Sequence, residues 1–337
     1  MPSDGAAARA PVLLLGLGPT AQSALEALHE RFQVVGVVRD GAGREAEDAT
    51  VQRARSLGVP VHPDASLRAV SALVESLRPA CVVVSSYNRI LPAALLEACP
   101  FVNVHYAPLP RLRGRASVNW ALINGEPQTA ITVHTLVPGL DAGGILYQRL
   151  VPIAAAATVA DLYEQLNEVQ REVLADAVRR RLDGDEGAPQ READATYGCT
   201  RLPEDGEIDW SAPTVAVDRL IRALVAPYPG AFTYLGTERL WIAGALPLAD
   251  APRYEGRIPG RVVAVSKANG FVDVLTGDGV LRLLEVRREG GPTMPASQAI
   301  TSVRATLGLR AGDLLARLAE LERRLAALEA DRGRPDG

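Results

Sequence analysis

The sequence contains few of the residues that hold disulfides or metal ions. Its 337 residues include only three cysteines (Cys81, Cys99 and Cys199) and four histidines. The cysteines are too few, and odd in number, for a disulfide framework, which favours a reducing, cytoplasmic environment. Neither residue type shows the close spacing of a ligand cluster. We therefore predict a cytoplasmic protein without disulfides and without a metal site.

Long apolar runs are also missing. No segment approaches the ~18 consecutive apolar residues of a membrane-spanning helix. Residues 1–10 lack the basic start and apolar core of a secretory leader. We predict that they form a disordered tail, and we expect no membrane partner. The formal net charge of −4 and the pI near 5.7 argue against a surface built mainly to bind nucleic acid.

Short apolar runs that alternate with helical spacing make up the first half of the chain. The runs at 11–18, 34–38, 59–62 and 80–86 are separated by segments with helical periodicity. This alternation predicts an α/β fold with a doubly wound, Rossmann-like and mostly parallel sheet over residues 11–190. Thr158 and Asp161 form a capping box that predicts the start of a helix running to about Leu182.

The second half has a different pattern. A polar segment predicts a linker at 191–204, and short alternating strands with turn signals predict a small, OB-like β-barrel at 205–303. An amphipathic helix follows at 304–330, and residues 331–337 form a tail.

The segment GLGPTA (16–21) follows the first apolar run, and Asp40 follows the second. This spacing is similar to a dinucleotide fingerprint and would suit an NAD(P)-dependent oxidoreductase. However, the last glycine of the fingerprint is replaced by Ala21. We therefore favour a tight strand-to-helix turn over a cofactor site.

The residues with the clearest chemical pattern are Asn103, His105 and Asp141. Asn103 and His105 lie two apart in VNVH, so their side chains point to the same face of a strand. Asp141 lies in the glycine-rich turn GLDAGG. An amide, an imidazole and a carboxylate can supply an oxyanion donor, a proton acceptor and an orienting charge. We predict that the fold brings them together as an acyl-transfer site.

A stiff loop with several arginines follows the VNVH strand. APLPRLRGR (107–115) contains Arg111, Arg113 and Arg115, which suit either a solvated face or contacts with a substrate phosphate. Trp120 suits either the core or a platform for the acceptor. We interpret His134 as a structural residue of the next strand.

The stretch 102–148 resembles the folate-dependent formyltransferase family, which joins an N-x-H strand to a Leu-Pro/Arg-Gly loop and a later D-x-G turn. ATYGCTRLPEDGEIDW (195–210) and APYPGAF (226–232) are similar to the entry into the second domain of methionyl-tRNA formyltransferases. The resemblance covers roughly residues 11–300. Within the family, RGRASVNWALINGE (113–126) looks closest to aminosugar N-formyltransferases, such as the domain acting on UDP-4-amino-4-deoxy-L-arabinose.

The resemblance implies roles for particular residues. Asn103, His105 and Asp141 would be the catalytic set, and 10-formyltetrahydrofolate would be the formyl donor. The remaining implied contacts are those with the donor (Tyr87, Arg89, Ile90, Leu91, Gly139 and Leu140) and those with the acceptor (Arg113, Arg115, Asn119 and Trp120). The sequence departs from many relatives at Ala107, where they have serine, so a contact from that hydroxyl is not expected.

The acceptor implied by the resemblance is a small-molecule primary amine, with a nucleotide-linked aminosugar as the leading candidate. Alternatives are another biosynthetic amine, such as a hydroxylated ornithine or a natural-product intermediate, and methionyl-tRNA. The tRNA branch carries a long basic insertion after the second strand, whereas residues 41–58 are short and mixed in charge. A non-catalytic binding module with the same fold is a further alternative. His105 could serve as a base or as an oxyanion donor.

Leucines recur at heptad spacing near the C-terminus. Leu307, Leu314, Leu321 and Leu328 are seven apart, with Leu318 and Leu325 between them. This pattern suits a coiled coil that forms a homodimer. It also suits an amphipathic helix packed on its own subunit.

Overall fold

The computed structural model describes residues 9–39 and 48–332. Asp40 and most of the two expected tails lie outside these residues. The chain divides into two compact units, with 122–125 and the residues from 202 onward in the second. Within the described ranges, no helix is both long and apolar enough to cross a membrane.

The first unit contains one seven-stranded sheet with the order β3-β2-β1-β4-β5-β7-β8. Strands β1 to β5 pair in parallel, whereas β7 and β8 are antiparallel. The mostly parallel, Rossmann-like sheet predicted from the sequence is thus confirmed. Its strands are β1 (Pro11–Gly16), β2 (Gln33–Val38), β3 (Val61–His62), β4 (Cys81–Ser85), β5 (Phe101–His105), β7 (Gln128–Thr135) and β8 (Ile145–Pro152). A two-stranded sheet pairs β6 (Arg113–Gly114) with β9 (Tyr197–Gly198).

Helices connect the strands of the large sheet. They are α1 (Gly18–Arg31), α2 (Ala49–Ser56), α3 (Leu67–Leu77), α4 (Ala93–Leu96), α5 (Ser117–Asn124) and α6 (Val159–Leu182). The predicted capping box at the start of α6 is present: the Thr158 hydroxyl accepts from the Asp161 N–H, and the Asp161 carboxylate accepts from the Thr158 N–H. This arrangement satisfies two backbone donors and begins the helix where the sequence predicts it.

The glycine turn after β1 has a packing reason. A Cβ atom at Gly16 would lie 2.0 Å from the Ser85 carbonyl oxygen, so only glycine allows β1 and β4 to end this close together. Gly18 has φ +71°, and its carbonyl accepts from the Thr50 hydroxyl at 2.8 Å. These contacts account for GLGPTA as a tight turn.

Two features of the first unit differ from the sequence expectation. Strand β8 was not anticipated, although its burial alternates as expected for an edge strand with one buried face. The segment taken as a linker at 191–204 belongs to the first unit as far as Arg201. Two of its polar side chains, Glu192 and Tyr197, accept hydrogen bonds from Arg113.

The second unit is an antiparallel sheet with the order β10-β11-β14-β13-β12, and β15 pairs with β14. Bridges from Leu235 to Leu307 and from Arg261 to Thr306 connect the outer strands through one segment, as in the predicted small barrel. Its strands are β10 (Ala231–Leu235), β11 (Glu238–Pro247), β12 (Val262–Val265), β13 (Val272–Leu275), β14 (Val280–Arg288) and β15 (Thr293–Pro295). Its helices are α7 (Thr214–Ala223), α8 (Ala296–Ala299) and α9 (Ala311–Arg332).

The C-terminal helix α9 does not include the first leucine of the heptad series. Leu307 is 2% exposed and belongs to the core of the second unit, and α9 begins only at Ala311. The prediction of a helix from 304 is therefore wrong at its start, because Thr306 and Leu307 bridge barrel strands instead.

Candidate active site

The candidate site lies at the edge where the parallel strands of the first unit end. His105 is the last residue of β5, and Asn103 lies two positions earlier. Strand β7 runs antiparallel beside β5 and places His134 opposite Asn103. The chain then turns through 136–144, which includes Asp141. Ligands of open α/β sheets bind at the carboxyl ends of the strands.

The fold brings the three predicted catalytic side chains together. Asn103 Nδ2 lies 3.3 Å from Asp141 Oδ1, and His105 Nδ1 lies 3.8 Å from Asp141 Oδ2. The Gly114 backbone N–H also donates to Asp141 Oδ2, at 2.8 Å. Asp141 has φ +47°, a left-handed conformation that aspartate and asparagine tolerate better than most residues. The amide, imidazole and carboxylate therefore form one cluster.

His134, interpreted from the sequence as a structural residue of its strand, is a further member of this cluster. Its Nδ1 lies 2.8 Å from the Thr135 carbonyl oxygen, which only accepts hydrogen bonds, so Nδ1 carries the proton. The unprotonated Nε2 then accepts from Asn103 Nδ2 at 3.1 Å. This bond fixes which end of the Asn103 amide faces Asp141. The pairing register that creates the contact cannot be read from single-sequence spacing.

The hydrogen bonds of His105 specify its tautomer. Its Nε2 lies 2.8 Å from the Leu112 carbonyl oxygen, so Nε2 carries a proton and Nδ1 is the titrating nitrogen of the neutral ring. Burial lowers the pKa of His105, although the Asp141 carboxylate and the Leu112 carbonyl act in the opposite direction. Burial outweighs both of these raising effects.

Asp141 is ionised at neutral pH. Burial alone would raise the pKa of its carboxyl group, but the protonated forms of the His134 and His105 rings, together with the Gly114 N–H, lower the pKa to about 2. The side chain is only 10% exposed, so its negative charge is poorly screened by solvent. The cluster therefore holds a fixed negative charge beside the titrating nitrogen of His105.

Gln190 joins the two loops that surround Asp141. Its Nε2 donates to the carbonyl oxygens of Asp141 and Gly143 at 2.7 and 2.8 Å. Its Oε1 accepts from Arg113 Nη2 at 3.0 Å. Gln190 thus couples the Asp141 turn to the loop that contains Gly114. No pattern in the sequence singled out Gln190, which lies directly before the polar segment interpreted as a linker.

Arg113 has its guanidinium group bound inside the protein. The residue is 1% exposed, and its Nη1 lies 3.0 Å from both carboxylate oxygens of Glu192. Its Nη1 also donates to the Tyr197 hydroxyl at 3.3 Å. These partners occupy the donors that a substrate phosphate would need. Arg115 is exposed and is the better candidate for a phosphate contact.

We expect the Arg113→Ala substitution to destabilise the protein by about 2–3 kcal/mol, because it removes buried hydrogen bonds of a charged group and the packing of its stem. The matched control is Arg111→Ala, which breaks an exposed ion pair with Glu126 (2.6 Å) and should cost less than about 1 kcal/mol. Urea denaturation measures both changes. Equal effects would contradict a structural role for Arg113.

Of the other residues implied to contact the acceptor, Arg115 lies on the loop that follows Gly114, whereas Asn119 and Trp120 lie on α5. Arg115 Nη2 donates to Asn88 Oδ1 at 3.1 Å, which connects the loop after β4 with the loop containing Gly114. Asn119 is 1% exposed. Trp120 is half-buried and donates from Nε1 to the Cys199 carbonyl at 2.9 Å. Cys199 itself is exposed.

The residues implied to contact the folate have contrasting environments. Tyr87 is half-buried and donates to the Ala65 carbonyl at 2.7 Å, and Leu91 is buried. Ile90 and Leu140 are 81% and 52% exposed. Arg89 and Gly139 are exposed as well. Across residues 9–39 and 48–332, no group of three or more histidine, cysteine or acidic side chains could hold a metal ion.

The fold and the cluster define a group-transfer enzyme with an amide–imidazole–carboxylate centre. The chain belongs to the formyl transferase family: residues 12–178 match its formyl transferase domain, and residues 202–304 match its C-terminal domain. The resemblance to this family described from the sequence is therefore confirmed.

Solved structures with a similar fold include three of interest. HypX from Aquifex aeolicus in complex with tetrahydrofolic acid has a TM-score of 0.63 and 20% identity over 87% of this chain and 47% of HypX. The chain thus spans about half the length of HypX. An N-formyltransferase from Helicobacter canadensis, in complex with folinic acid and dTDP-3-aminofucose, has a TM-score of 0.61 and 15% identity over 81% of this chain and 97% of its own. WlaRD, a sugar 3N-formyl transferase, has a TM-score of 0.58 and 14% identity over 82% of this chain and 97% of WlaRD.

Proposed function

We propose that this protein transfers the formyl group of 10-formyltetrahydrofolate to the primary amine of a nucleotide-linked aminosugar. The observation that carries the proposal is the convergence of Asn103, His105 and Asp141 in a chain of the formyl transferase family. Two structures with a similar fold contain such ligands. HypX is in complex with tetrahydrofolic acid, and the Helicobacter canadensis enzyme is in complex with folinic acid and dTDP-3-aminofucose. These ligands support both halves of the proposal.

The residues around the cluster suit a reduced pterin. Ile90 and Leu140 expose apolar side chains on loops next to the cluster, and the Asp141 carboxylate lies beside Leu140 in the chain. A flat ring with apolar faces and a polar edge matches such a mixture of surfaces. Tyr87, Arg89, Leu91 and Gly139 belong to the same two loops.

The Asn103 amide is placed to bind the carbonyl oxygen of the group that is transferred. The formyltetrahydrofolate supplies a carbonyl carbon to which an amine can add. Asn103 Nδ2 directs one proton to His134 and the other to Asp141, and the contact with Asp141 is the longer of the two, at 3.3 Å. In the complex, this second proton would exchange its contact with Asp141 for the carbonyl oxygen of the substrate. One such donor can contribute ~3 kcal/mol to an acyl transfer.

The sequence left open whether His105 acts as a base or as an oxyanion donor. The geometry favours the base, which accepts a proton. Its Nε2–H is bound to Leu112, so the neutral ring offers an unprotonated Nδ1. Because burial lowers its pKa, His105 is neutral at physiological pH and can accept a proton from the attacking amine. Asp141, 3.8 Å from Nδ1, would then stabilise the imidazolium. The imidazolium would return this proton to N10 of the folate as the bond between N10 and the formyl carbon breaks, which releases tetrahydrofolate and the formylated amine and leaves His105 neutral again.

The test is to incubate the purified enzyme with 10-formyltetrahydrofolate and a panel of amines, and to search each product for the added mass of one formyl group. The panel contains nucleotide-linked aminosugars, hydroxylated ornithine, other amino acids and methionyl-tRNA. We expect formylation of an aminosugar. Formylation of a different class alone would overturn the proposed acceptor, and no folate-dependent transfer to any amine would overturn the proposed reaction.

We expect the Arg115→Ala substitution to raise KM for the nucleotide-linked acceptor roughly tenfold and to leave kcat nearly unchanged. A hydrogen bond between an exposed guanidinium and a phosphate contributes about 1.5 kcal/mol or more. Steady-state kinetics at saturating folate measure the effect, with Arg111→Ala as the control. An unchanged acceptor KM, or a change in the KM for folate alone, would contradict this role.

A further inference from the structure

Helix α9 presents an uncovered row of leucines. Over Ala311–Arg332, Leu314, Leu318, Leu321, Leu325 and Leu328 are between 46% and 64% exposed. An apolar stripe that continues over several turns is costly to leave in water. The alternative reading of a helix packed on its own subunit is therefore not supported for this face.

The leucines occupy the two seam positions of a heptad. With Ala311 at position a, the following a positions are Leu318 and Leu325, and the d positions are Leu314, Leu321 and Leu328. The spacing alternates between three and four residues, as knobs-into-holes packing requires. The 22 residues of α9 extend over about 33 Å at the rise of an α-helix.

Charges beside the seam specify the partner and its direction. Within α9, position g holds Arg317, Arg324 and, in the last turn, Asp331, whereas position e holds Leu315, Glu322 and Glu329. In a parallel pair, each g residue faces the e residue five positions later on the other helix, so Arg317 would face Glu322 in both directions. In an antiparallel pair, g faces g and e faces e, which would oppose arginine to arginine and glutamate to glutamate. The pattern is complementary to its own copy only when the helices are parallel.

We infer that two copies of this chain associate through α9 in a parallel, in-register, two-stranded coiled coil. A second copy supplies both the apolar seam and the complementary charges, and twofold association is the commonest symmetry of soluble oligomers. Arg317 is 45% exposed and contacts Glu320 of its own helix at 2.7 Å. Its five N–H donors allow a further carboxylate from the partner. The inference does not depend on the identity of the acceptor.

The first experiment measures the molar mass of the full chain by light scattering and sedimentation equilibrium over a range of concentrations. We expect a dimer. The Leu321→Glu substitution should raise the dissociation constant of this dimer by ~100-fold or more, because one buried leucine is lost from each helix. The matched control is Ala319→Glu, which adds the same charge at the outer b position of the same helix and should leave association unchanged. Circular dichroism and folate-dependent transfer check that both variants fold.

The second experiment tests the direction of the helices by exchanging charges. In the parallel arrangement, Arg317→Glu and Glu322→Arg should each weaken association, and the double variant should restore it. Strengthening by Arg317→Glu alone would indicate antiparallel helices and overturn the inference. A monomer at every concentration, a trimer or larger assembly, or a dimer insensitive to Leu321→Glu would overturn it as well.

Discussion

Replacing His105 with glutamine is expected to lower kcat/KM by on the order of 10³-fold while the protein remains folded. General acid–base catalysis by a positioned side chain typically contributes 10²–10⁴-fold. The glutamine amide can still donate a hydrogen bond to the Leu112 carbonyl, the bond that His105 Nε2 makes at 2.8 Å. It cannot accept a proton at neutral pH. The substitution therefore separates proton transfer from the positioning of the loop, and His105→Ala removes both.

The pH dependence supplies the control for this prediction. Since burial lowers the pKa of His105, kcat/KM of the wild type should fall on the acid side only below the usual histidine range, as the ring becomes protonated. The glutamine variant should lose this component and keep only the limb that reflects protonation of the acceptor amine itself. Wild-type turnover by His105→Gln, or a pH profile that the substitution leaves unchanged, would show that His105 does not accept the proton.

Replacing Asp141 with asparagine is expected to lower kcat by roughly 10²–10³-fold. Asparagine tolerates the left-handed backbone at φ +47°, so the turn should be kept. The substitution removes the negative charge 3.8 Å from His105 Nδ1, which would stabilise the imidazolium formed when His105 accepts a proton. It also replaces one of the two acceptors of the Asn103 amide protons. Single-turnover kinetics would measure the chemical step directly.

A stability measurement distinguishes a catalytic from a structural effect of Asp141. Folding lowers the pKa of its carboxyl from 3.8 to about 2, so the ionised form stabilises the folded state above the pKa of the unfolded chain. This contribution, on the order of 2 kcal/mol, is lost as the pH falls from about 4 toward 2. Asp141→Asn should lack this component of the pH dependence. An unfolded variant at pH 7, or one with normal kcat, would contradict the proposed role.

Local pattern in the sequence was sufficient for much of the fold. The apolar runs located β1, β2 and β4, and the Thr158–Asp161 capping box located the start of α6. These features depend on residues close together in the chain, so the physical cause and the sequence signal coincide. Strand β8 was missed because it is defined by its pairing with β7 and not by a pattern in its own composition.

The N-x-H strand and the D-x-G turn were enough to single out Asn103, His105 and Asp141, and the leucine spacing located the exposed row of leucines on α9. Strand register and loop packing then determined the rest of the site. Cross-strand pairing placed His134 against Asn103, and folding of the polar segment placed Gln190 between the Asp141 turn and Arg113. Such contacts join residues 31 to 77 positions apart, so their geometry depends on the whole sheet. For the same reason, the burial that lowers the pKa of His105 is a property of the folded chain and has no counterpart in local sequence.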